Sequence, residues 1–243
     1  GNLDFYDGNL RAIDSEGNLT LADVATDGYE SYFSEAIERW SYMKFPYLRH
    51  LGREHGWNRV GPLARINVCS QIATPLAEAE RQEFFRFTNE RVNNSTLYSH
   101  WARLIETLHC AEVMKQLLED DDIMSNDLVR SGTPRSKGIG IIEAPRGTLT
   151  HHYEIDNRGM ITKCNLIVST THNNQAMNQA VKWVAEHVIS QKAAITDGML
   201  NQVEVAIRAY DPCLSCATQS LGQMALQVSL VDHTGAVIDE KIR

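Results

Sequence analysis

A helix that must stop at a proline and hand over at once to two closely spaced cysteines is the tightest constraint in this chain. Apolar residues recur at helical spacing up to Tyr210, Pro212 cannot continue a helix, and Cys213-Leu214-Ser215-Cys216 follows directly. Two thiols at that spacing reach one soft metal ion from a single turn, exchange a disulfide, or form half of a zinc knuckle. A thiol-exchange pair normally sits at a helix N-terminus, where the helix dipole lowers the thiol pKa. Here the pair follows a C-terminus, which favours metal binding.

Composition narrows the setting. The chain has 243 residues, 43% of them apolar, enough for one large domain or two small ones with a real core. Its net charge of −8 is spread over interleaved acids and bases, which argues against a nucleic-acid or anionic-membrane surface, since both recruit clustered Lys and Arg. No apolar run approaches the roughly 18 residues that suggest a transmembrane helix. Five cysteines, an odd and sparse set, do not make a disulfide framework, so a reducing, cytoplasmic setting is expected. Residue 1 is Gly and the first methionine is Met43, so the chain is expected to be a piece of a longer protein.

Short apolar stretches with the turn signals Asp7-Gly8 and Glu16-Gly17-Asn18 predict a small β-meander over residues 1–26. Tyr29, Phe33, Ile37 and Trp40 recur at helical spacing and predict a helix closed by Pro46, followed by an irregular loop at 51–61. Thr74-Pro75 has the form of an N-cap with proline at the first helical position, opening a helix to about residue 88. A longer helix is predicted next, with Leu97, Trp101, Leu104, Leu108, Ala111 and Leu118 on one stripe and the acidic run 119–122 as a solvated exit. Residues 131–140 read as a Gly/Pro/basic loop and an internal boundary. Strands are predicted at 139–143, 148–155 and 160–168, with a turn at Asn157-Arg158-Gly159, and helices at 174–189 and 197–210. Beyond the cysteines, Leu226, Val228 and Leu230 alternate with polar residues into a hairpin that turns at Asp232-His233-Thr234-Gly235. The expected class is α+β and mainly helical, a helix bundle with small antiparallel β-sheets and hairpins. Its expected parts are the β-meander at 1–26, a helical part at 27–130, a β-hairpin and helical part carrying the chemistry at 131–219, and a C-terminal extension at 220–243.

Two further segments carry unusual residues. In Glu143-Ala144-Pro145-Arg146-Gly147 an arginine stands between Pro and Gly at a strand end, where a rigid turn can hold its guanidinium over a cavity. In Asn165-Leu166-Ile167-Val168-Ser169-Thr170-Thr171-His172-Asn173-Asn174 an apolar strand feeds a hydroxyl-rich turn and a helix N-terminus, whose free N–H groups suit anions. Each has an ordinary reading too: loop bracing for the arginine and capping for the hydroxyls. His151 and His152 lie on opposite faces of a strand and cannot chelate one ion together.

Taken in order, these two segments and Ala206-Ile207-Arg208-Ala209-Tyr210-Asp211-Pro212-Cys213-Leu214-Ser215-Cys216 resemble the large subunit of nickel–iron hydrogenases, specifically the cytoplasmic NAD-reducing, bidirectional group. The resemblance extends through Gly61-Pro62-Leu63-Ala64-Arg65-Ile66-Asn67-Val68, Thr74-Pro75-Leu76-Ala77-Glu78 and Leu221-Gly222-Gln223-Met224, and so covers nearly the whole chain. It implies that four thiolates from two CxxC pairs hold nickel, two of them bridging to an iron that carries cyanide and carbonyl ligands; soft thiolates suit such metals. By resemblance, Cys213 is the terminal nickel ligand and Cys216 the bridging one. Arg146 is the arginine suspended over the metals, Asp211 holds its guanidinium, and Pro145, the Arg146 backbone and the Thr170 hydroxyl face the iron's cyanides. The implied activity is H2 oxidation or proton reduction coupled to NAD. The implied partners are the N-terminal remainder of the large subunit, an iron–sulfur small subunit, diaphorase subunits, a maturation endopeptidase and nickel-insertion chaperones, with no nucleic acid and no membrane.

The chain departs from the family pattern in three ways. A second CxxC is absent, so the chain alone is expected to be apo and inactive; Cys69, Cys110 and Cys164 are isolated and read as small buried hydrophobes. Gln219 stands where the family has a histidine that serves a magnesium site and marks the maturation cleavage; its carbonyl still offers an oxygen to Mg²⁺. Residues 220–243 resemble the extension removed after nickel insertion, and their alternation predicts docking as an extra strand. Two other readings stand beside the hydrogenase one: a non-catalytic assembly module that kept the fold and lost the metals, and a zinc or thiol-redox protein using Cys213 and Cys216 alone.

Overall fold

Backbone geometry in the computed structural model, which describes residues 1–89, 92–190, 192–214 and 226–242, follows the turn and cap signals of the sequence more closely than its apolar spacing. In chain order the elements are β1 (Leu10–Ile13), β2 (Leu19–Val24), α1 (Tyr29–Tyr32), β3 (Phe33–Ile37), β4 (Lys44–Leu48), α2 (Gly52–His55), α3 (Pro62–Val68), α4 (Pro75–Thr88), α5 (Tyr98–Leu118), β5 (Lys137–Ala144), β6 (Gly147–Ile155), β7 (Ile161–Ile167), α6 (Ser169–His172), α7 (Asn174–Val184), α8 (Asp197–Arg208), β8 (Gln227–Val231) and β9 (Val237–Ile242). Helices with small antiparallel sheets make the α+β class expected from the sequence. Of the described residues, Gly1–Phe33 with Val60–Ser169 form one compact unit, and Ser34–Arg59 with Thr170–Arg243 the other.

In the first unit, β5, β6 and β7 form a three-stranded antiparallel sheet in that order, and β1–β2 make a separate hairpin. The β6–β7 turn is set by Asp156, whose carboxylate accepts from the N–H groups of Arg158 (2.8 Å) and Met160 (3.0 Å), with Gly159 supplying φ +78°. Only β1 and β2 form in the region predicted to be a meander. The core gathers Leu3, Leu63, Ile66, Ile72, Ala77, Phe84, Ala102 and Ile105. Phe84 is fully buried and takes edge-on contacts from Phe85, Tyr98 and Trp101 at centroid distances of 5.2, 5.8 and 5.2 Å.

Two expectations need correction here. Thr74 stands at the N-cap of α4 as predicted, but its hydroxyl lies 2.9 Å from His109 Nδ1, and the carboxylate of Glu112 on α5 takes the first-turn N–H groups of Leu76 (3.1 Å) and Ala77 (2.9 Å) instead. The buried face of α5 is Ser99, Ala102, Ile105, Glu106 and His109; of the predicted stripe, Trp101 and Leu108 pack against the core, whereas Leu97, Leu104 and Leu118 are exposed. The reason is polar: Glu106 and His109 point inward because the first unit gives each a buried partner.

The helix predicted from Tyr29 to Pro46 is one turn, α1, in the first unit, followed by the β3–β4 pair. Its apolar spacing never formed one face: Tyr29 belongs to the first unit, 2% exposed with its hydroxyl 3.0 Å from His152 Nδ1, whereas Ile37 and Trp40 stay exposed. Helices α7 and α8 pack together through Val184, Ile189, Val203 and Ala206. Residues Ala185–Ile189 continue α7 as one π-helical turn. The β8–β9 hairpin is a two-stranded sheet of its own, not the extra strand predicted; Leu226 and Leu230 pack against the α7–α8 core. It is pinned by Asp239, which accepts from the Ile195 N–H at 2.7 Å, and by Lys241 against Asp197 at 2.9 Å.

The loop before α4 is tied by Glu78. Its carboxylate accepts from Arg81 Nε (2.8 Å), Gln82 Nε2 (2.9 Å) and the Ile72 N–H (2.8 Å), and Arg81 also donates to the Ser70 carbonyl at 2.7 Å. Led by the Arg81 bond, these contacts hold the carboxyl down at about 2, from an ordinary 4.5. A depressed carboxylate adds stability that is present above its unfolded value and lost as pH falls toward its folded one. Replacing Glu78 with Gln should therefore cost roughly 1 kcal/mol at neutral pH, after allowance for solvent screening, and flatten the loss of stability between pH 4.5 and 2, as read by denaturant unfolding across that range.

Candidate metal-binding site

The segment that carries Arg146 is a two-residue hairpin loop. Ala144 pairs with Gly147 at the end of the β5–β6 ladder, leaving Pro145 and Arg146 as the loop. Gly147 has φ +129°, and a Cβ there would lie 2.2 Å from Val60 Cγ2 and 2.7 Å from the Gly61 nitrogen. Gly61, φ +103°, packs from the other side, its missing Cβ 3.0 Å from the Arg146 carbonyl oxygen. Ser169 Oγ donates to the Gly147 carbonyl at 2.7 Å. Pro145 is exposed and Arg146 half-buried.

Beneath this loop lies a charge network that sequence reading missed. Arg65 of α3 is 8% exposed. Its Nε and Nη2 bind the Glu106 carboxylate bidentately at 2.7 Å each, Nη1 donates to Glu143 Oε2 at 2.7 Å and to the Ala144 carbonyl at 2.9 Å, and Nη2 reaches the Pro145 carbonyl at 3.3 Å. Burial alone would weaken the guanidinium's charge, but the two carboxylates hold its pKa above the ordinary value. The same burial pushes Glu106 upward, opposed by Arg65. The available signal was a charged residue inside an apolar run, Leu63-Ala64-Arg65-Ile66 and Ile105-Glu106.

In the second unit, α8 ends at Arg208, and the Asp211 N–H still bonds the Arg208 carbonyl at 2.9 Å. Asp211 then turns left-handed at φ +49°, a conformation Asp tolerates better than most side chains, and Pro212 blocks any return to helix. Cys213 emerges half-buried as a thiol outside any disulfide, and its N–H donates to Thr170 Oγ1 at 3.1 Å. Thr170 is 2% exposed and opens a run of buried polar residues, Thr171, His172, Asn173 and Asn174. As an acceptor in this bond, the Thr170 hydroxyl keeps its own proton for another partner. Asn174 donates to the Lys44 carbonyl at 2.7 Å, and Asn58 Nδ2 lies 3.3 Å from His172 Nδ1. Full burial drops His172 to about 4, so its ring is neutral at neutral pH.

The structure thus joins Thr170 to Cys213, with Asp211 in the same turn, while Cys216 and Gln219 lie outside the described residues. Among the described residues no three His, Cys, Asp or Glu side chains could hold a metal ion together. A half-buried thiol on a fixed turn suits a soft metal, though one thiolate does not complete a coordination shell. The three isolated cysteines divide: Cys110 and Cys164 are exposed, against expectation, because each lies on the solvent side of its element. Cys69 is half-buried, its thiol pushed up to about 11 by burial, and is no ligand candidate.

A family model for nickel-dependent hydrogenases matches residues 6–219, and the chain belongs to that family. It is 52% identical, over its whole length, to the NAD-reducing hydrogenase HoxS subunit beta of Cupriavidus necator, covering 50% of that protein. It is 43% identical to one of the subunits of the F420-non-reducing hydrogenase of Methanothermobacter thermautotrophicus, over 98% of this chain and 51% of that one. Among solved structures, an NAD+-reducing [NiFe]-hydrogenase in the H2-reduced state superposes with a TM-score of 0.86 at 50% identity, covering 90% of this chain and 48% of that one. A [NiFeSe] hydrogenase from Desulfovibrio vulgaris Hildenborough shares the fold at a TM-score of 0.56 and 22% identity, over 84% of this chain and 47% of that one. The chain spans about half the length of the relatives it matches. No helix among the described residues is long and apolar enough to cross a membrane.

Packing around the Arg146 loop makes a direct prediction. Gly147→Ala combines a left-handed backbone with a clash against Val60 and should cost about 3 kcal/mol or more. Gly138→Ala, on the same hairpin with open space around its missing Cβ, should change stability by under about 0.5 kcal/mol. Equilibrium denaturation of the two variants checks the contrast.

Proposed function

We propose that this chain is the C-terminal part of the large subunit of a nickel–iron hydrogenase of the NAD-reducing type, and that the whole assembly catalyses H2 + NAD⁺ → NADH + H⁺ in either direction. The observation that carries this reading is the Asp211-Pro212-Cys213 turn, with its backbone fixed by Thr170, in a chain 52% identical throughout to the NAD-reducing relative. Cys213 and Cys216 would supply two of the thiolates that hold nickel, the remainder coming from the N-terminal part of the subunit. When bound, the nickel–iron centre, with its cyanide and carbonyl ligands, supplies the Lewis-acidic and redox-active site at which H2 is cleaved heterolytically. This chain's own residues do the rest. By the family resemblance, Arg146 would place a positive charge near the developing charges, and Asp211 would be its counter-ion. By the same resemblance, Pro145, the Arg146 backbone and the Thr170 hydroxyl would hold the iron's cyanides.

Partners follow from the same reading: diaphorase subunits together with an iron–sulfur small subunit to carry electrons to NAD, and nickel-insertion chaperones with a maturation endopeptidase before that. A cytoplasmic setting fits this equipment. The family model stops at residue 219, which supports reading 220–243 as the maturation extension, held until cleavage by the β8–β9 hairpin on α7–α8. On this account the chain alone is apo and inactive. Gln219 favours a second reading, an assembly module that retains the fold without metals; Gln offers magnesium an amide oxygen where the family has an imidazole.

Nickel and iron per chain, measured by elemental mass spectrometry, separate these readings. The isolated chain should hold almost none. The complete matured subunit should hold one of each, and Cys213→Ser in it should lose the nickel. Stoichiometric nickel in the isolated chain would contradict the half-site reading, and a metal-free complete subunit would establish the assembly-module alternative.

A further inference from the structure

We infer that Arg65, clamped by Glu106, is a positioning residue that fixes the Pro145-Arg146 loop from below. This inference rests on the role proposed for Arg146 and deepens it. A guanidinium has five N–H donors, and all five of Arg65 are engaged: two on Glu106, one on Glu143, and one each on the carbonyls of Ala144 and Pro145. Three of the five therefore end on residues 143–145, immediately before Arg146. A fork with this many fixed contacts sets both the position and the twist of the loop backbone, which a single flexible ammonium cannot do.

The surroundings make the clamp rigid. Arg65 and Glu106 side chains are 7% and 8% exposed, so neither can exchange its partner for water at low cost. Phe5 stacks against the guanidinium at 5.4 Å, and its carbonyl accepts from the Glu143 N–H at 2.7 Å. The second oxygen of Glu143 is held by the Thr148 hydroxyl. The clamp thus fixes the strand entering the loop, while Gly61 and Val60 close on the residues leaving it. Three segments distant in sequence, at 65, 106 and 143–145, converge on the one turn that bears Arg146. Core packing alone does not require a buried charge at this point, since an apolar residue of similar volume would fill the space without a desolvation cost.

The test is a double-mutant cycle in the complete subunit within its holoenzyme: the parent, Arg65→Lys, Arg146→Lys and the double variant. Turnover is expressed per bound nickel, alongside thermal stability and the infrared stretches of the iron's carbonyl and cyanide ligands. Arg65→Lys keeps the buried charge but breaks the fork, and should lower turnover by about 10- to 100-fold while shifting the cyanide bands. In the Arg146→Lys background the same change should add less than about 3-fold, because the residue it positions is already gone. Multiplicative effects, or lower stability with turnover per nickel and infrared bands unchanged, would overturn the positioning role. An Arg146→Lys variant with full turnover would instead overturn the reading of Arg146 itself, and this inference with it. Should Arg65→Lys fail to assemble, Glu143→Gln carries the same cycle, since it leaves the Arg65–Glu106 pair intact and weakens the tie from Arg65 to the loop.

Discussion

A buried guanidinium cannot be left partly satisfied, and much of the first unit is arranged around that constraint. Losing one partner of such a pair costs about 3–5 kcal/mol, because a desolvated charge remains behind. Arg65 therefore requires Glu106 to point inward from α5 and Glu143 to sit at the end of β5, and it draws two loop carbonyls toward it. Once these are fixed, the register of β5 against β6 and the narrow loop between them leave little freedom. Glycines at 61 and 147 allow the chain to approach as closely as that geometry demands.

The second unit uses a different device for a similar end. Its thiol-bearing turn is a helix exit, where a left-handed Asp211 and a proline end α8 within a few residues, and one buried hydroxyl from the start of α6–α7 anchors the Cys213 backbone. The helix pair that supports the turn is packed on its other contacts by the β8–β9 hairpin. That hairpin carries few buried apolar side chains and two charged pins, Asp239 and Lys241, an attachment that is specific yet modest in energy. Both units place a candidate site residue, Arg146 in one and Cys213 in the other, on a short turn between longer elements.

The sequence announced its turns well. Proline at 75, glycine at 159 and the Asp211-Pro212 break each fall where the structure turns or caps, because those residues act through their own backbone geometry. The strands at 137–144, 147–155 and 161–167 were legible from alternation, and the family from its motifs. Apolar spacing misled where tertiary partners decide. Tyr29 to Trp40 repeats like a helix face, yet its members go to unrelated places. Leu104, Leu117 and Leu118 of α5 lie outside because Glu106 and His109 have buried partners on α3 and at Thr74. No local rule identifies such residues: Arg65 and Glu106 are 41 positions apart, and their pairing exists only once both helices are packed.

The central claim is that the turn after α8 offers thiolates to a soft metal in the complete subunit. X-ray absorption at the nickel edge, recorded on the complete matured protein, tests it most directly. The account predicts a first shell dominated by sulfur, as a four-thiolate site requires. A shell of nitrogen and oxygen neighbours would contradict it, and would move the metal away from Cys213 and Cys216 altogether.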